Sequence, residues 1–589
     1  MMLADTKAPT NVASYPMDLP LKQWVGRLTH GVSPAAVTAA LEDWWIHLAV
    51  SPGKQEELAE SAFRKFLTWT LFTQSALPGT PYRPLKNAPD LPEDKRFAPE
   101  HWKAPGYHQW AQAFLLTQQW WDEATRGVRG VSQHHEEVTE FMTRQWLDMW
   151  SPSNFVATSP QVQQEVWSTG GLNLAYGVAN WWRDAIAVLT DGAPAGAERF
   201  EPGETVAVTP GKVVFRNRLI ELIQYEPATR TVFPEPVLIV PSWIMKYYIL
   251  DLSPDNSMVK YLVDKGHTVF MISWKNPDAS DRDLRMEDYV ELGVFAALKA
   301  VEAAMPGHGI HATGYCLGGT LLAIAAAAMA HDESSPLKTL GILAGQTDFQ
   351  EPGELGLFID ESQIAFLEDL MAQRGYLDGR QMAGAFALIN SKDLVWSKLV
   401  HEYLMGAQTP LTDLRAWNAD ATRMPHRMHS EYLRRLYLGN DLAEGRFPVR
   451  GRPVAINDIH LPTFVLATER DHVSPWKSVY KINLLTRTEI SFVLTAGGHN
   501  VGVVNPPEGP QAHPSASHRF AVREAGAPYV DPQTWLDSAP QQSGSWWTTW
   551  QHWLAEHSGK PVPAVPVGRR GKAHVPSLGD APGSYVHGN

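Results

Sequence analysis

The sequence has very little cysteine and little charge. Cys316 is the one cysteine among 589 residues, and Lys, Arg, Asp and Glu together make up 19% of the chain, with a net charge of −13. A single cysteine excludes a disulfide within the chain and fits a reducing compartment. An acidic chain is a poor general binder of nucleic acid, because phosphate contacts need clustered Lys and Arg. These shortages predict a cytoplasmic protein without a nucleic-acid partner.

Long apolar runs and metal-binding patterns are also missing. The longest apolar run, residues 321–330, has about half of the ~20 residues that a membrane-spanning helix needs. The N-terminus lacks the charged-then-apolar pattern of a secretion signal. No histidine and carboxylate residues follow a spacing typical of a metal site. We therefore expect no membrane span and no metal.

Tryptophan, by contrast, is abundant, with 23 residues. Its side chain combines a large apolar face with one N–H group, so it suits aromatic cores and also surfaces that are partly wet. Two interpretations stay open. The tryptophans fill cores, or some of them line an acyl channel or touch a hydrophobic product.

The first third of the chain has a helical pattern. Residues 1–20 show no periodicity and predict a disordered lead. In residues 21–200, apolar side chains recur at three- and four-residue steps, as in EELAESAFRKFLTWTLF and EEVTEFMTRQWLDMW. This spacing is typical of amphipathic helices. We predict a mostly helical, Trp-rich N-terminal domain over residues 21–200.

From residue 201 onward, short apolar segments alternate with helical ones. The strings PVLIV, HTVFMISW and LKTLGIL predict strands, and such alternation is typical of a parallel sheet covered by helices on both faces. The alternation stops near Phe349 and resumes at Leu461, which is too long a gap for a loop. We predict an α/β catalytic domain over residues 201–589, with a helical cap at about 350–460 and an extended Pro/Gly-rich tail at about 560–589. The cap would cover the carboxyl ends of the strands, where ligands bind in such sheets.

The string GYCLGG places Cys316 between Gly314 and Gly318, after a predicted strand and before an Ala-rich helix. This is the G-x-nucleophile-x-G elbow of the α/β-hydrolase fold, with sulfur in place of the usual serine oxygen. The strained turn is expected to present the thiol in the open, and the N-terminus of the following helix favours the thiolate. The backbone N–H of Leu317 would form one half of an oxyanion hole. The alternative is a small buried cysteine between flexible glycines. The flanking strand and helix favour a nucleophile.

An acid and a histidine follow the nucleophile along the chain in this fold. Asp471 comes directly after the predicted strand TFVLAT, at Glu469-Arg470-Asp471, and His499 follows the strand ISFVLT and two glycines. We predict that His499 is the general base and Asp471 the acid that orients it. Asp348 and His472 are the competing candidates.

With these residues placed, the chain resembles the polyhydroxyalkanoate synthases, also called poly(3-hydroxyalkanoate) polymerases. The resemblance runs from about Trp146 to the C-terminus. It includes the strings WLDMWSPSNFVATSP, IVPSWIMKYYILDLSP, HTVFMISWKNPDAS, GYCLGGT, DLVWSKLVHEYLMG, AWNADATRMP, ERDHVSPW, GGHNVGVVNPP and GSWWTTW. Several of them, notably KYYILDLSP and SWKNPD, are scarcely seen in other α/β-hydrolase enzymes.

The resemblance implies roles for particular residues. Cys316, Asp471 and His499 fall on the family's catalytic cysteine, aspartate and histidine. The second oxyanion donor would be backbone near Trp243 and Ile244. A substrate channel would be bordered by four side chains: Trp417, Asn418, Asp420 and Tyr247.

The resemblance also implies an activity and partners. The family polymerises 3-hydroxyacyl-coenzyme A thioesters into a storage polyester and releases coenzyme A. Because the substrate itself carries coenzyme A, no separate cofactor is expected. A homodimer, attachment to the polyester granule in the cytoplasm and contact with granule-coat proteins are implied as well.

The chain departs from the family pattern at several positions. Met245 stands where the family usually has asparagine, Ser242 where it has proline, and Asn500 where it has isoleucine. The usual P-N-D-L-x-W-N is SKDLVWS here, beginning at Ser391. These positions flank the predicted catalytic loops, so they bear on acyl-chain preference and turnover.

Two other functions are compatible with parts of the pattern. A cysteine hydrolase of the same fold, such as a thioesterase or a polyester depolymerase, would share the triad, because function depends on the site and not on the fold. A catalytically silent granule-coat protein would lack the elbow or the histidine. The strings outside the triad and the Trp-rich N-terminal domain favour the polymerase.

Overall fold

The computed structural model describes residues 15–75, 94–190, 192, 194–330, 335–389, 391–567, 569–570, 573–574 and 577–588. The chain divides into two compact units. We call the described part of Ser33–Glu198 and Ala385–Leu411 the helical unit. The sheet unit is the described part of Met1–Val32, Arg199–Gly384 and Thr412–Asn589. The predicted lead lies mostly outside the described residues, and helix α1 (Leu19–Leu28) already begins within its last two positions.

The helical unit contains the predicted amphipathic helices, which confirms the helical character of the N-terminal region. Its helices are α2 (Pro34–Ala49), α3 (Pro52–Ser75), α4 (Tyr107–Thr125), α5 (Gln133–Met149), α6 (Pro160–Thr169) and α7 (Leu172–Leu189). Indole N–H groups join neighbouring helices: Trp120 donates to the Leu58 carbonyl at 3.0 Å and Trp69 to the Gln109 carbonyl at 3.1 Å. Each of these bonds satisfies a polar group at an otherwise apolar helix contact.

Part of the predicted cap belongs to the helical unit. Residues 385–411 pack against α7, where the Asn173 side chain donates to the Leu404 carbonyl at 2.7 Å. The side chain of Asn180 donates to the Glu402 carbonyl at 3.0 Å. The predicted boundary near residue 200 lies close to the junction of the units at 198/199, whereas residues 385–411 are contributed from much later in the chain.

The sheet unit is built on ten strands. They are β1 (Gly211–Arg216), β2 (Ile220–Tyr225), β3 (Val237–Val240), β4 (Val269–Trp274), β5 (Ile310–Tyr315), β6 (Leu337–Leu343), β7 (Thr463–Thr468), β8 (Ile490–Thr495), β9 (Ser517–Arg523) and β10 (Gln541–Ser543). Their spatial order is β1-β2-β4-β3-β5-β6-β7-β8-β9-β10. The six central strands, β4-β3-β5-β6-β7-β8, pair with one another in parallel. At each end of the sheet, the two outer strands pair antiparallel with their neighbours.

Burial on both faces explains why the central strands are apolar throughout. Every residue of β3, β4, β5, β7 and β8 is buried, as expected for parallel strands covered by helices. The helices of this unit that follow β1 are α8 (Met258–Asp264), α9 (Met286–Asp288), α10 (Ala296–Ala304), α11 (Leu317–Met329), α12 (Glu361–Arg374), α13 (Gly379–Ile389, which ends in the helical unit), α14 (Asp413–Ala419), α15 (His426–Tyr432), α16 (Trp476–Tyr480), α17 (Ile482–Leu485), α18 (Pro532–Ser538) and α19 (Trp547–Glu556).

The segment between β6 and β7 is mostly helical, as predicted for the cap, and also contains two short strand pairs. In addition to α12–α15 it contains π-helical segments at Lys392–Trp396, Leu399–Leu404 and Leu433–Leu438. Helix α1 packs on α12: the Lys22 ammonium bonds to Asp369, and Gly26 leaves room for the Leu370 side chain. A Cβ at Gly26 would lie 2.6 Å from a Leu370 methyl carbon, so a larger residue here would require the Leu370 side chain to shift.

The last described residues lie along the edge of the sheet. Val213 donates its backbone N–H to the Gly579 carbonyl at 2.9 Å, and Leu578 donates to the Val213 carbonyl at 2.9 Å. The segment ends in a 3₁₀ turn at Tyr585–His587. Among the described residues, no helix combines the length and the apolar character that crossing a bilayer requires.

Candidate active site

Cys316 sits at a strained turn between β5 and α11. Its backbone adopts φ 54° and ψ −126°, a region that residues other than glycine seldom occupy. The flanking glycines are required by close backbone approach. A Cβ at Gly314 would lie 2.4 Å from the Gly318 carbonyl oxygen, and one at Gly318 would lie 2.1 Å from the Val240 carbonyl oxygen. The turn therefore has the geometry of a nucleophile elbow.

The thiol is covered, not open to solvent. Cys316 is 7% exposed, which corrects the expectation of an open side chain. Two cap phenols, Tyr432 and Tyr437, lie close enough to Cys316 to interact with its charge. The Tyr432 hydroxyl donates to the Tyr437 hydroxyl at 3.2 Å. The strained turn therefore does not leave the thiol open to solvent.

His499 and Asp471 are brought together by the ends of neighbouring strands β7 and β8. The ring N–H at Nδ1 of His499 donates to Asp471 Oδ2 at 2.7 Å. Asp471 is held in turn by the backbone N–H groups of Val473, at 2.9 Å, and Ser474, at 2.7 Å. The Thr468 hydroxyl donates to Asp471 Oδ2 at 3.1 Å. These bonds hold the carboxylate in the position from which it orients the His499 ring.

The charges in this group shift the pKa values of both partners. Burial alone would lower the pKa of His499, but the charge and hydrogen bond of the Asp471 carboxylate and the influence of the nearby Cys316 sulfur outweigh it. The pKa of His499 therefore lies well above its usual 6.5. Burial alone would raise the pKa of Asp471, but the His499 charge and hydrogen bonds from the ring and from backbone N–H groups hold it below its usual 3.8. An imidazolium beside Cys316 is an electrostatic partner for a thiolate.

The competing candidates lie in other surroundings. Asp348 accepts from the backbone N–H of Gln350 at 2.8 Å and lies 3.7 Å from the Lys481 ammonium. The side chain of His472 is exposed, and its carbonyl accepts from the Glu354 N–H at 3.1 Å. Asp471, not Asp348, is the carboxylate bonded to His499.

The predicted oxyanion donors flank the elbow. Leu317 begins α11, so its N–H has no carbonyl partner within the helix. Gly318, next to it, lies against the end of β3, and the loop with Trp243 and Ile244 follows that strand. The Ile244 N–H donates to the Ser242 hydroxyl oxygen at 3.4 Å. This bond is weak, so a substrate oxyanion could replace it.

The predicted channel residues occupy three kinds of environment. Trp417 is buried, and its indole N–H donates to the Lys246 carbonyl at 2.7 Å, whereas Asn418 is exposed. Asp420 accepts from the Tyr248 hydroxyl at 2.9 Å. Tyr247 is buried beside Tyr225 and Asp251 in the core of the unit, so its contacts are not with the triad. The channel role of these four residues stays a prediction.

Sequence reasoning missed a contact between the neighbours of the nucleophile and the base. Tyr315 precedes Cys316, Asn500 follows His499, and the Tyr315 hydroxyl donates to Asn500 Oδ1 at 2.7 Å. The Tyr315 and His499 rings lie 5.8 Å apart. The departure at Asn500 offered a signal, because an amide in place of an aliphatic side chain needs a polar partner. For Tyr432 and Tyr437 the sequence held no signal. Among the described residues, no group of three or more His, Cys, Asp or Glu side chains is arranged to hold a metal.

Three family models match parts of this chain within residues 13–506. Residues 93–262 match the family described as the N-terminus of poly-beta-hydroxybutyrate polymerase (PhaC), and residues 13–54 match a second N-terminal family of the same polymerase. Residues 235–506 match the alpha/beta hydrolase fold. The last match confirms the fold predicted from the elbow.

Individual proteins give the same assignment. The poly(3-hydroxyalkanoate) polymerase of Methylorubrum extorquens is 38% identical over 562 residues, which cover 93% of this chain and 89% of the relative. The polymerase subunit PhaC of Cupriavidus necator is 35% identical over 580 residues, covering 96% and 93%. A monoacylglycerol lipase of Paleococcus ferrophilus is a distant structural match, with a TM-score of 0.34, 10% identity and coverage of 58% of this chain and 99% of the lipase. The extent of the two polymerase matches shows that this chain belongs to the poly(3-hydroxyalkanoate) polymerase family and is an acyltransferase.

Proposed function

We propose that this chain polymerises (R)-3-hydroxyacyl-coenzyme A thioesters into polyhydroxyalkanoate through a covalent acyl-enzyme on Cys316. One observation carries the proposal. In a chain of the polymerase family, a strained elbow presents Cys316 to a histidine whose other ring nitrogen bonds Asp471 at 2.7 Å. This is the order of nucleophile, base and orienting acid that acyl transfer requires.

The first half of the cycle loads the enzyme. His499 takes the proton of Cys316, and the thiolate attacks the thioester carbonyl of the substrate. The developing oxyanion is stabilised by the Leu317 N–H and by backbone N–H groups of the Trp243–Ile244 loop. The bond to the coenzyme A sulfur breaks, and His499 returns the proton to that sulfur. Because a thioester replaces a thioester, this step is nearly isoenergetic.

The second half forms the ester. The 3-hydroxyl of another substrate molecule attacks the acyl-enzyme, and His499 takes the hydroxyl proton. An ester bond forms, and the Cys316 sulfur leaves with the electron pair of the broken thioester. The extended chain can then return to Cys316 by thioester exchange with release of coenzyme A. Asp471 keeps the ring in the tautomer and orientation that both halves need.

Water has to be kept from the acyl-enzyme, since hydrolysis would make the protein a thioesterase. The low exposure of Cys316, 7%, supports this role for the cap. In addition to burial, the charge of Cys316 contributes to raising the pKa values of the cap phenols Tyr432 and Tyr437, which supports a position of the cap near the thiol. The cap must admit substrate, so the covered thiol represents a closed state in this proposal.

We also propose attachment to the polyester granule in the cytoplasm, contact with granule-coat proteins and a homodimer. Large apolar side chains are strongly exposed on α7 and just before it, among them Trp167, Trp182, Ile186 and Leu189. Exposed apolar patches of this kind mark contacts with other apolar surfaces. They support a surface that binds polymer or a second chain.

The activity is tested by mixing the purified chain with 3-hydroxybutyryl-coenzyme A and with longer homologues, while free thiol and turbidity are followed. We expect thiol release accompanied by turbidity. Thiol release without polymer would assign the chain to the cysteine hydrolases, and no release with any acyl length would contradict the proposal.

Cys316→Ala provides the matched control. It should abolish coenzyme A release while leaving the fold intact, because a Cβ is already accommodated at this turn. Incubation of wild type with a substrate whose 3-hydroxyl is absent should leave an acyl group on Cys316, detectable by mass spectrometry. Retained release by Cys316→Ala would refute the covalent mechanism.

A further inference from the structure

The side chain of Lys246 is buried in the sheet unit, with Lys246 only 4% exposed. Its ammonium donates to the carbonyl oxygens of Val586, at 2.5 Å, and Gly588, at 2.7 Å. Asp420 lies 3.6 Å away. A buried ammonium is costly unless its three donors find acceptors. The C-terminal segment, residues 577–588, supplies two of those acceptors.

The C-terminal segment is bound at several points before it reaches Lys246. Its backbone pairs with β1, as described above. Further along, the backbone N–H groups of Ser584 and Tyr585 donate to the Glu221 carboxylate at 2.8 and 2.9 Å. Glu221 is fully buried, and the Tyr585 hydroxyl donates to the Asn217 carbonyl at 2.6 Å. Charged, buried acceptors make this a built site and not a loose surface contact.

Lys246 is the last residue of the loop that contains the proposed second oxyanion donor. That loop, residues 243–246, is joined to the cap segment 417–423. The Thr422 hydroxyl donates to the Trp243 carbonyl at 2.9 Å, Met245 and Ala421 form a β-bridge, and the Lys246 carbonyl accepts from the cap indole at 2.7 Å. The loop and the cap segment are therefore joined by three contacts with the loop backbone.

A second link runs from the C-terminal segment to the cap. The Asn276 side chain donates its amide N–H to the Gly588 carbonyl at 3.1 Å, and its oxygen accepts from the Arg423 backbone N–H at 2.8 Å. The Gly588 carbonyl thus bonds both Lys246, the last residue of the oxyanion loop, and Asn276, which also bonds the cap segment.

We propose that Lys246 is a positioning residue for the acyl transfer reaction, and that the C-terminal segment keeps it in place. By holding Lys246 and Asn276, the segment fixes the oxyanion loop beside the elbow and the cap over Cys316. This inference rests on the proposed function for its catalytic consequence. Its structural consequence, the closed cap, holds whatever reaction the site performs.

The test uses the single cysteine, because alkylation by iodoacetamide then reports on Cys316 alone. Three variants of the full enzyme are compared with wild type: Lys246→Met, a chain ending at Gly583, and Lys212→Ala. Lys212 bonds Asp580 of the same segment, but at the surface, with side chains 35% and 78% exposed. Exposed pairs of this kind contribute little, so Lys212→Ala is the matched control.

We expect Lys246→Met and the shortened chain to be alkylated about tenfold faster. They should also lose about tenfold in kcat with little change in KM, less than the roughly hundredfold loss that a 1 Å misplacement of catalytic groups can cause. Lys212→Ala should match wild type in both measurements. A synthetic peptide of residues 584–588, which the shortened chain lacks, should slow its alkylation again. Unchanged alkylation and kcat in Lys246→Met would overturn the proposal. If wild type releases no coenzyme A, the proposed function fails, while the alkylation rates still decide the role of Lys246.

Discussion

Replacing Tyr315 by phenylalanine removes one oxygen atom from the neighbour of the nucleophile. The lost hydroxyl is the one that donates to Asn500 Oδ1 at 2.7 Å, next to His499. Tyr315 is buried and Asn500 half-buried, so the amide oxygen keeps little access to water. Leaving a buried polar group without its partner costs about 1–3 kcal/mol. If about 1.4 kcal/mol of this appears in the transition state, the rate falls roughly tenfold.

The companion change is Asn500→Ile, which leaves the Tyr315 hydroxyl without its acceptor and should reduce kcat by a similar factor. The double variant Tyr315→Phe/Asn500→Ile removes both polar groups, and such a replacement is close to neutral when the shape is kept. We therefore expect the double variant to recover most of the wild-type kcat, a coupling that a double-mutant cycle measures directly.

The assay is the initial rate of coenzyme A release at several substrate concentrations, so that kcat and KM separate. Thermal unfolding of each variant is the control for global stability. The reasoning would be refuted if the two single losses simply added in the double variant, or if neither single change lowered kcat.

Three further predictions concern the elbow, the ion pair and an isolated histidine. Gly318→Ala should abolish activity and destabilise the chain, because its Cβ would lie 2.1 Å from the Val240 carbonyl oxygen; coenzyme A release and thermal unfolding check this, and a variant that unfolds like wild type would contradict it. Asp471→Asn should lower kcat on the order of 10⁴-fold by removing the group that orients the ring. The pKa of His499 is raised above 6.5 and that of Asp471 lowered below 3.8, so their stabilisation is complete between about pH 4 and 6.5 and is lost as pH rises through the raised histidine pKa. The difference in unfolding free energy between wild type and Asp471→Asn should shrink accordingly in alkaline buffer, and a constant difference would argue against the ion pair. Burial lowers the pKa of His267 to about 4, and neither ring nitrogen has a hydrogen-bond partner among the described residues. Because the unfolded chain protonates this ring at a higher pH than the folded chain does, the free energy of unfolding should fall by about 2 kcal/mol as the pH is lowered from 6.5 to 5. His267→Leu should remove that loss in denaturant titrations at pH 7.5 and 5, whereas equal losses in both proteins would show that this histidine is not responsible.

The sheet and the meeting of His499 with Asp471 could be predicted because they depend on local pattern. Continuous apolar runs mark strands that are buried on both faces, and parallel strands end at one edge. Residues directly after β7 and β8 must then lie close together. Gly314 and Gly318 allowed the turn to be predicted in the same way, because a close approach of neighbouring backbone segments requires glycine at both positions.

Other features had no local signal. The Tyr315–Asn500 bond joins side chains far apart in the chain, and only the unusual amide at Asn500 hinted at a partner. The covering of Cys316 depends on how cap helices pack, which periodicity does not determine. The tail was predicted as extended from its prolines and glycines, yet its contacts with Glu221 and Lys246 involve buried charges whose partners no spacing reveals.

The position of the C-terminal segment has a consequence for solubility. An outer strand of a sheet offers unpaired backbone groups to any other extended chain, which makes it a starting point for aggregation. Residues 578–581 occupy those groups along β1, and the opposite margin ends in the three-residue strand β10. Chains made without the segment should therefore self-associate more readily on heating, visible as light scattering that rises with protein concentration.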